Sequence, residues 1–175
     1  VGYRALKAAT GARNNAVGTY AAAQVTSGER NESMGYAALY TATTGSYNIA
    51  IGYKSLHTLT TADHNTAIGY DALRLSTTGA QNVAVGNYAL DANTTGNSNV
   101  AVGYQAMTAN TTANYNVAVG TYALDTNTTG SSNTAIGHNA ATAITDGASN
   151  VAVGKAAAYG ITTGDANVAI GANTL

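Results

Sequence analysis

The chain repeats itself every seventeen residues, and that period constrains its fold more than any other feature. "NVAVGYQAMTANTTANY", from Asn99 to Tyr115, is followed at once by "NVAVGTYALDTNTTGSS". The glycine that closes each Val-Gly or Ile-Gly pair stands at positions 2, 18, 35, 52, 69, 86, 103, 120, 137, 154 and 171. A second small-residue column runs through 11, 28, 45, 62, 79, 96, 113, 130, 147 and 164, and is Gly except at Ala62 and Ala113. A glycine kept in register this way marks backbone that needs positive φ or close approach to another strand of chain.

A period of seventeen suits one turn of a β-solenoid and is too short for the helical repeats of roughly 33 to 47 residues. The local pattern also reads as strand. In Asn99–Gly103, Val100 and Val102 face one way and Asn99 and Ala101 the other. Invariant glycines with Asn and Thr-Thr every few residues would make a poor helix and defeat a coiled coil. Each repeat is therefore expected to hold two short strands, one on Asn-x-Ala-Val and one from Ala-Leu to Thr-Thr, with the glycine columns as corners. Turns stacked about 4.8 Å apart would build a rod of roughly 48 Å from ten turns.

Stacking places like residues over like. Four residues before the first glycine column stands Asn14, Asn31, Asn48, Asn65, Asn82, Asn99, Asn116, Asn133, Asn150 and Asn167, which predicts a structural amide ladder. The residue just before that glycine is Val17, Met34, Ile51, Ile68, Val85, Val102, Val119, Ile136, Val153 or Ile170, and this aliphatic column is expected to form the core, with the Leu column four residues after the glycine as its second part. Most other apolar positions are Ala. Two large apolar residues per turn make a thin core, and small side chains let backbones approach, so two or three identical chains could share one axis.

The unit "NVAVGNYALDANTTGNSNVAVGYQAM" (Asn82 to Met107) resembles the Asn/Ser-x-Val-Ala-x-Gly repeats of trimeric autotransporter adhesin heads, and more closely the repeat shafts of bacteriophage tail-fibre proteins. The resemblance spans the whole chain. It implies a homotrimeric parallel β-roll, an extracellular location on a virion or bacterial surface, and a cell-surface glycan or receptor as partner. The chain begins and ends within a repeat, so residues 1–175 read as a single repeat domain of about ten turns taken from a longer fibrous protein.

Catalytic chemistry finds little footing. His57, His64 and His138 fall at three different repeat positions with no second ligand at metal spacing, and read as solvated. Asp91 and Asp125 share a column with Arg74 and read as surface charges. With no Cys there is no disulfide framework or thiol nucleophile. No phosphate-loop or calcium-nonapeptide motif occurs. The expectation is no enzyme activity, no cofactor and no metal. A net charge of −1 gives no electrostatic footprint for nucleic acid, and the long uncharged run between Asp91 and Asp125 is too punctuated by Asn, Thr and Gly to insert in a membrane. Six of the seven Lys and Arg lie between Arg4 and Arg74, the other being Lys155, and read as scattered solvated charges.

Two surface columns remain. The tyrosines follow the first glycine, at Tyr3, Tyr20, Tyr36, Tyr53, Tyr70, Tyr88, Tyr104 and Tyr122. They read as packing between turns or chains, with Tyr36, Tyr53, Tyr70 and Tyr104 as candidate binding residues for a sugar ring. Thr-Thr precedes the second column, for example Thr77-Thr78 and Thr128-Thr129, and only one Thr of each pair is expected to point outward. The sequons at Asn31, Asn93, Asn110 and Asn127 would matter only in a glycosylating host. The reading is an all-β parallel β-solenoid or β-roll, probed as a structural and adhesive fibre segment for host-cell attachment. The alternatives are a bacterial trimeric autotransporter adhesin head, a self-assembling extracellular filament and an ice-binding β-solenoid.

Overall fold

A computed structural model describes all 175 residues. Ten three-residue strands occur, one per repeat: β1 (Asn15–Val17), β2 (Glu32–Met34), β3 (Ile49–Ile51), β4 (Thr66–Ile68), β5 (Val83–Val85), β6 (Val100–Val102), β7 (Val117–Val119), β8 (Thr134–Ile136), β9 (Val151–Val153) and β10 (Val168–Ile170). They form one parallel sheet in sequence order. The register is the repeat itself, with Val83 opposite Val100, Ala84 opposite Ala101 and Val85 opposite Val102. The chain is an all-β parallel β-solenoid.

The second strand expected in each turn does not form. The stretch after the corner glycine instead alternates through left-handed backbone. In one turn Gln105 and Met107 have φ of 52° and 55°, and in the next Tyr122 and Leu124 have 57° and 53°. A third such column lies just before each Asn, as at Tyr115, φ 61°. An L-residue in this region costs roughly 1–2 kcal/mol. Hydrogen bonds between turns offset that cost. The Tyr122 amide donates to the Tyr104 carbonyl of the turn before (3.0 Å), while the Leu124 amide donates to the Ala140 carbonyl of the turn after (2.9 Å). Of 103 backbone hydrogen bonds only 18 lie within the strands; the rest are spread over the strand flanks, the corners and this irregular segment.

The core differs from expectation. The aliphatic column is on the outside: Val17, Met34, Ile51, Ile68, Ile136 and Ile170 are exposed, and Val85, Val102, Val119 and Val153 are only half-buried. The middle residue of each strand points inward, as Ala84, Ala101 and Ala118 do, all fully buried. The interior is one cluster of 31 buried residues, chiefly these alanines, a second Ala column and the Leu column of Leu39, Leu56, Leu73, Leu90, Met107 and Leu124. Alternation forces the choice. Asn and Ala share one strand face and the two branched residues share the other. The narrow turn encloses the face whose amides need partners and whose alanines fit against leucine.

The asparagine ladder forms as expected. The Asn82 Oδ1 accepts the backbone amide of Asn99 (2.9 Å) and its side-chain amide (3.2 Å), while Asn99 Nδ2 also donates to the Ala113 carbonyl (2.8 Å). The eight asparagines from Asn31 to Asn150 are at most 1% exposed, and Asn14 and Asn167 at the ends are half-buried. Each buried amide thus meets its hydrogen-bonding demand by bridging adjacent turns.

Candidate functional site: the aliphatic strip and the aromatic ladder

With alanine inside, the outer face of the sheet carries one wholly aliphatic column and one mixed column. The former core candidates line the first, beginning at Val17 and Met34, and the second holds Ile49, Val83, Val100, Val117, Val151 and Val168 together with the polar Asn15, Glu32, Thr66 and Thr134. Every strand has the same length and register, so the columns run unbroken along the sheet. Ten strands about 4.8 Å apart and three residues wide at about 3.3 Å each give a sheet face of roughly 450 Å², and exposed apolar patches of this order are often functional. A shallow depression lined by Val17, Met34, Ile49 and Ile51 marks its amino-terminal end.

The tyrosines form a continuous ladder on another side of the turn. Ring contacts run without a break from Tyr3 through Tyr20, Tyr36, Tyr53, Tyr70, Tyr88, Tyr104 and Tyr122 to His138, with centroids 4.9–6.4 Å apart. The candidate binding residues differ in geometry. Tyr36, Tyr53 and Tyr70 stack face to face, with interplanar angles of 13° and 7°. Tyr104 instead meets Tyr88 and Tyr122 edge-on. Within the stacked trio Tyr53 has a ring on each face, and all three tyrosines are exposed.

His64 and His138 are exposed, as expected, and His57 is half-buried. His57 stacks on Tyr40 (5.3 Å, 9°) and His64 on Tyr47 (5.0 Å, 5°). Burial lowers the His57 pKa below the ordinary histidine value, and the charges of Lys54 and Arg74 lower it further. The expected surface charges also pair. Arg74 Nε donates to Asp91 Oδ1 at 2.9 Å and Arg74 Nη2 to Asp91 Oδ2 at 3.3 Å, a bidentate bridge between turns, with Asp71 Oδ2 3.7 Å from Nε. Burial raises the pKa of both Asp71 and Asp125, and each keeps one buried carboxylate oxygen without a hydrogen-bond partner. No group of three His, Cys, Asp or Glu is placed to hold a metal ion, and no helix is long and apolar enough to cross a membrane.

Two polar columns are structural in ways the sequence did not announce. The first Thr of each pair donates its hydroxyl to the carbonyl of the equivalent Thr one turn on, as in Thr77 to Thr94 (3.1 Å) and Thr94 to Thr111 (3.0 Å). The second Thr, as Thr78, Thr95 and Thr112, is exposed. Asn93, Asn110 and Asn127 form a second buried ladder over three turns, Asn110 Nδ2 donating to Asn93 Oδ1 at 2.9 Å. All four sequon asparagines, Asn31 included, are fully buried, so the folded chain offers none of them to a glycosylating enzyme. Only the recurrence of Asn at one repeat position in three successive turns could have signalled that ladder.

Compared with protein families, curated proteins and solved structures, the chain matches none.

Proposed function

We propose that this chain is a rigid segment of an extracellular attachment fibre, assembled as a homotrimer around its aliphatic strip. The strip is the observation that carries the reading. A single chain leaves one column of Val, Ile and Met, and a second column that is aliphatic on six of the ten strands, at least partly in water, and association would remove this apolar surface at about 25 cal/mol per Å². The repeat's resemblance to phage tail-fibre shafts and trimeric adhesin heads favours three chains over two. Function then follows from geometry. Repeat number sets length, amide and backbone ladders give stiffness, and three chains carry three copies of any receptor-binding surface, which raises avidity. The fibre would stand on a virion or bacterial surface and act without catalysis, cofactor or metal, its partner a cell-surface glycan or receptor.

Light scattering at low and high protein concentration tests the assembly. A trimeric mass independent of concentration supports the fibre. A monomer overturns it, and open-ended growth points to a filament instead.

A further inference from the structure

The repeat breaks twice on one side of its amino-terminal turns, and the breaks leave two adjoining clefts. Two residues after the corner glycine, the column reads Arg4, Tyr20, Ala37, Lys54 over four turns. Five residues after it, the column reads Lys7, Ala23, Tyr40, His57. Ala37 and Ala23 are therefore short side chains among large ones, both buried at the floors of the clefts. The cleft over Ala37 has a volume of about 340 Å³ and is bounded by Tyr36, Lys54 and His57. The cleft over Ala23 has a volume of about 320 Å³ and is bounded by Lys7 and Gln24. Arg4, Tyr20 and Tyr40 line both.

Aromatic faces and charge are sorted within this region. Tyr40 stacks one face on His57. Its neighbour in the column on the other side is Ala23, a methyl group where a second stacked ring would stand, and Tyr40 remains half-exposed. Tyr20 meets Tyr40 edge-on at 6.2 Å and forms the wall between the clefts. Arg4 lies 5.2 Å from the Tyr3 ring centre and Lys54 5.3 Å from that of Tyr53, which holds both cations against the aromatic ladder. In the same turns the acidic residues Glu29, Glu32 and Asp63 stand at other repeat positions, outside the linings of both clefts. One turn further on the sign reverses at Asp71, and Arg74 beyond it is paired with Asp91. Three cations thus flank the half-exposed Tyr40 ring over a length of about 14 Å, three turn spacings.

The geometry points to a binding site for a short anionic saccharide, of sulfated or carboxylated hexose units. A pyranose has an apolar face suited to the aromatic walls of Tyr20 and Tyr40, its hydroxyls can reach Gln24, and its acidic groups meet Arg4, Lys7 and Lys54. A long polyanion such as nucleic acid fits poorly, because Asp71, Asp91 and Asp125 occupy the continuation of the surface and would repel it. The clefts are at the small end of ligand sites, which suits a chain end or a branch of two or three sugars. The site deepens the attachment-fibre reading by naming the class of receptor. It lies on residues after the corner glycine, apart from the aliphatic strip, so trimerisation through the strip leaves it open.

The test titrates the full chain with a sulfated disaccharide, its unsulfated counterpart, inorganic sulfate and a single-stranded oligonucleotide, read by calorimetry. The sulfated disaccharide is expected to bind most tightly and to weaken with added salt. Filling a gap by Ala23→Tyr or Ala37→Lys, both side chains the repeat already accommodates in those columns, is expected to cost at least about tenfold in affinity. Tyr40→Ala should do the same, with Ala23 as its precedent in the fold. Equal binding of inorganic sulfate, indifference to Ala23→Tyr, tighter binding of the oligonucleotide, or no binding at millimolar disaccharide would each overturn the site. Mass by light scattering on the same samples separates the two proposals: a monomer that binds keeps the site without the trimer, and a trimer that does not bind keeps the fibre without the site.

Discussion

Gly103 and Gly120 approach so closely that a Cβ placed on Gly103 would lie 2.5 Å from the Gly120 carbonyl oxygen. The backbone of Gly103 also has φ of 138°, a region L side chains rarely adopt. Both costs fall on one substitution. Gly103→Ala is expected to destabilise the chain by about 3 kcal/mol, from strain and overpacking together, read as a lower urea midpoint. Gly147 in the second column sets the contrast. A Cβ there would also crowd a carbonyl, of Gly164 at 2.5 Å, but its φ is unexceptional. Ala62 and Ala113 show that the second column can accept a methyl group. Gly147→Ala should cost markedly less, and an equal loss would mean that crowding alone, not the dihedral, selects glycine at the corners.

Asn99 bridges three turns. Its side chain donates to Asn82 Oδ1 and the Ala113 carbonyl and accepts the Asn116 backbone amide at 3.0 Å. Asn99→Ala leaves the buried Asn116 amide without its partner, while the Ala113 carbonyl loses its shorter bond and keeps the one from Asn110 Nδ2 at 3.3 Å. At about 1–3 kcal/mol for an orphaned buried group, the loss should be about 2 kcal/mol by denaturant unfolding. Asn167, half-buried and accepting no bond from a further asparagine, is the control: Asn167→Ala should cost less than half as much. A similar loss at both sites would show that the ladder is not a cooperative structure between turns.

The period, the glycine corners and the Asn99 ladder were legible in the sequence because each depends on one residue type recurring in one column. Which strand face points inward was not. Asn99 with Ala101, and Val100 with Val102, satisfy alternation equally well. Side-chain size favours the valines for the core, whereas the demand of buried amides for partners places the asparagines there, and Ala101 comes with them. The left-handed columns were hidden for another reason. Positions such as Leu124 and Tyr122 carry no glycine to announce positive φ, since bonds between turns hold them there. The clefts at Ala23 and Ala37 were visible only as irregularities, and acquired meaning once stacking showed what stood above and below each gap.

Asp125 sits half-buried, with Oδ1 lacking a partner, and its pKa is raised, chiefly by burial. An acid whose folded pKa exceeds its unfolded value binds more protons when folded. Stability therefore falls as pH rises from the unfolded value through the folded one, and the penalty is present in full above the folded value. Asp71 acts in the same direction. Asp125→Asn removes the buried charge, so at pH 7 the variant should melt higher than the parent. The difference should shrink as pH is lowered through the raised pKa. A variant that melts lower at neutral pH would show that the backbone hydrogen bonds of the carboxylate outweigh its desolvation.

Val102 lies mid-strip, half-buried in the single chain, on the central strand β6. In a lone chain Val102→Lys replaces one outward side chain and should change stability by no more than about 0.5 kcal/mol, as surface substitutions usually do. In a trimer built on the strip it would bring three ammonium groups into an apolar interface. Desolvation and like-charge repulsion then act together, and the trimer should dissociate while the circular dichroism of the chain persists. Tyr104→Lys is the matched control, because Lys155 occupies the same column and the residue stands off the strip; its mass should equal the parent's. If Val102→Lys leaves a trimeric parent intact, the interface lies elsewhere, and the exposed valines and isoleucines await a different partner.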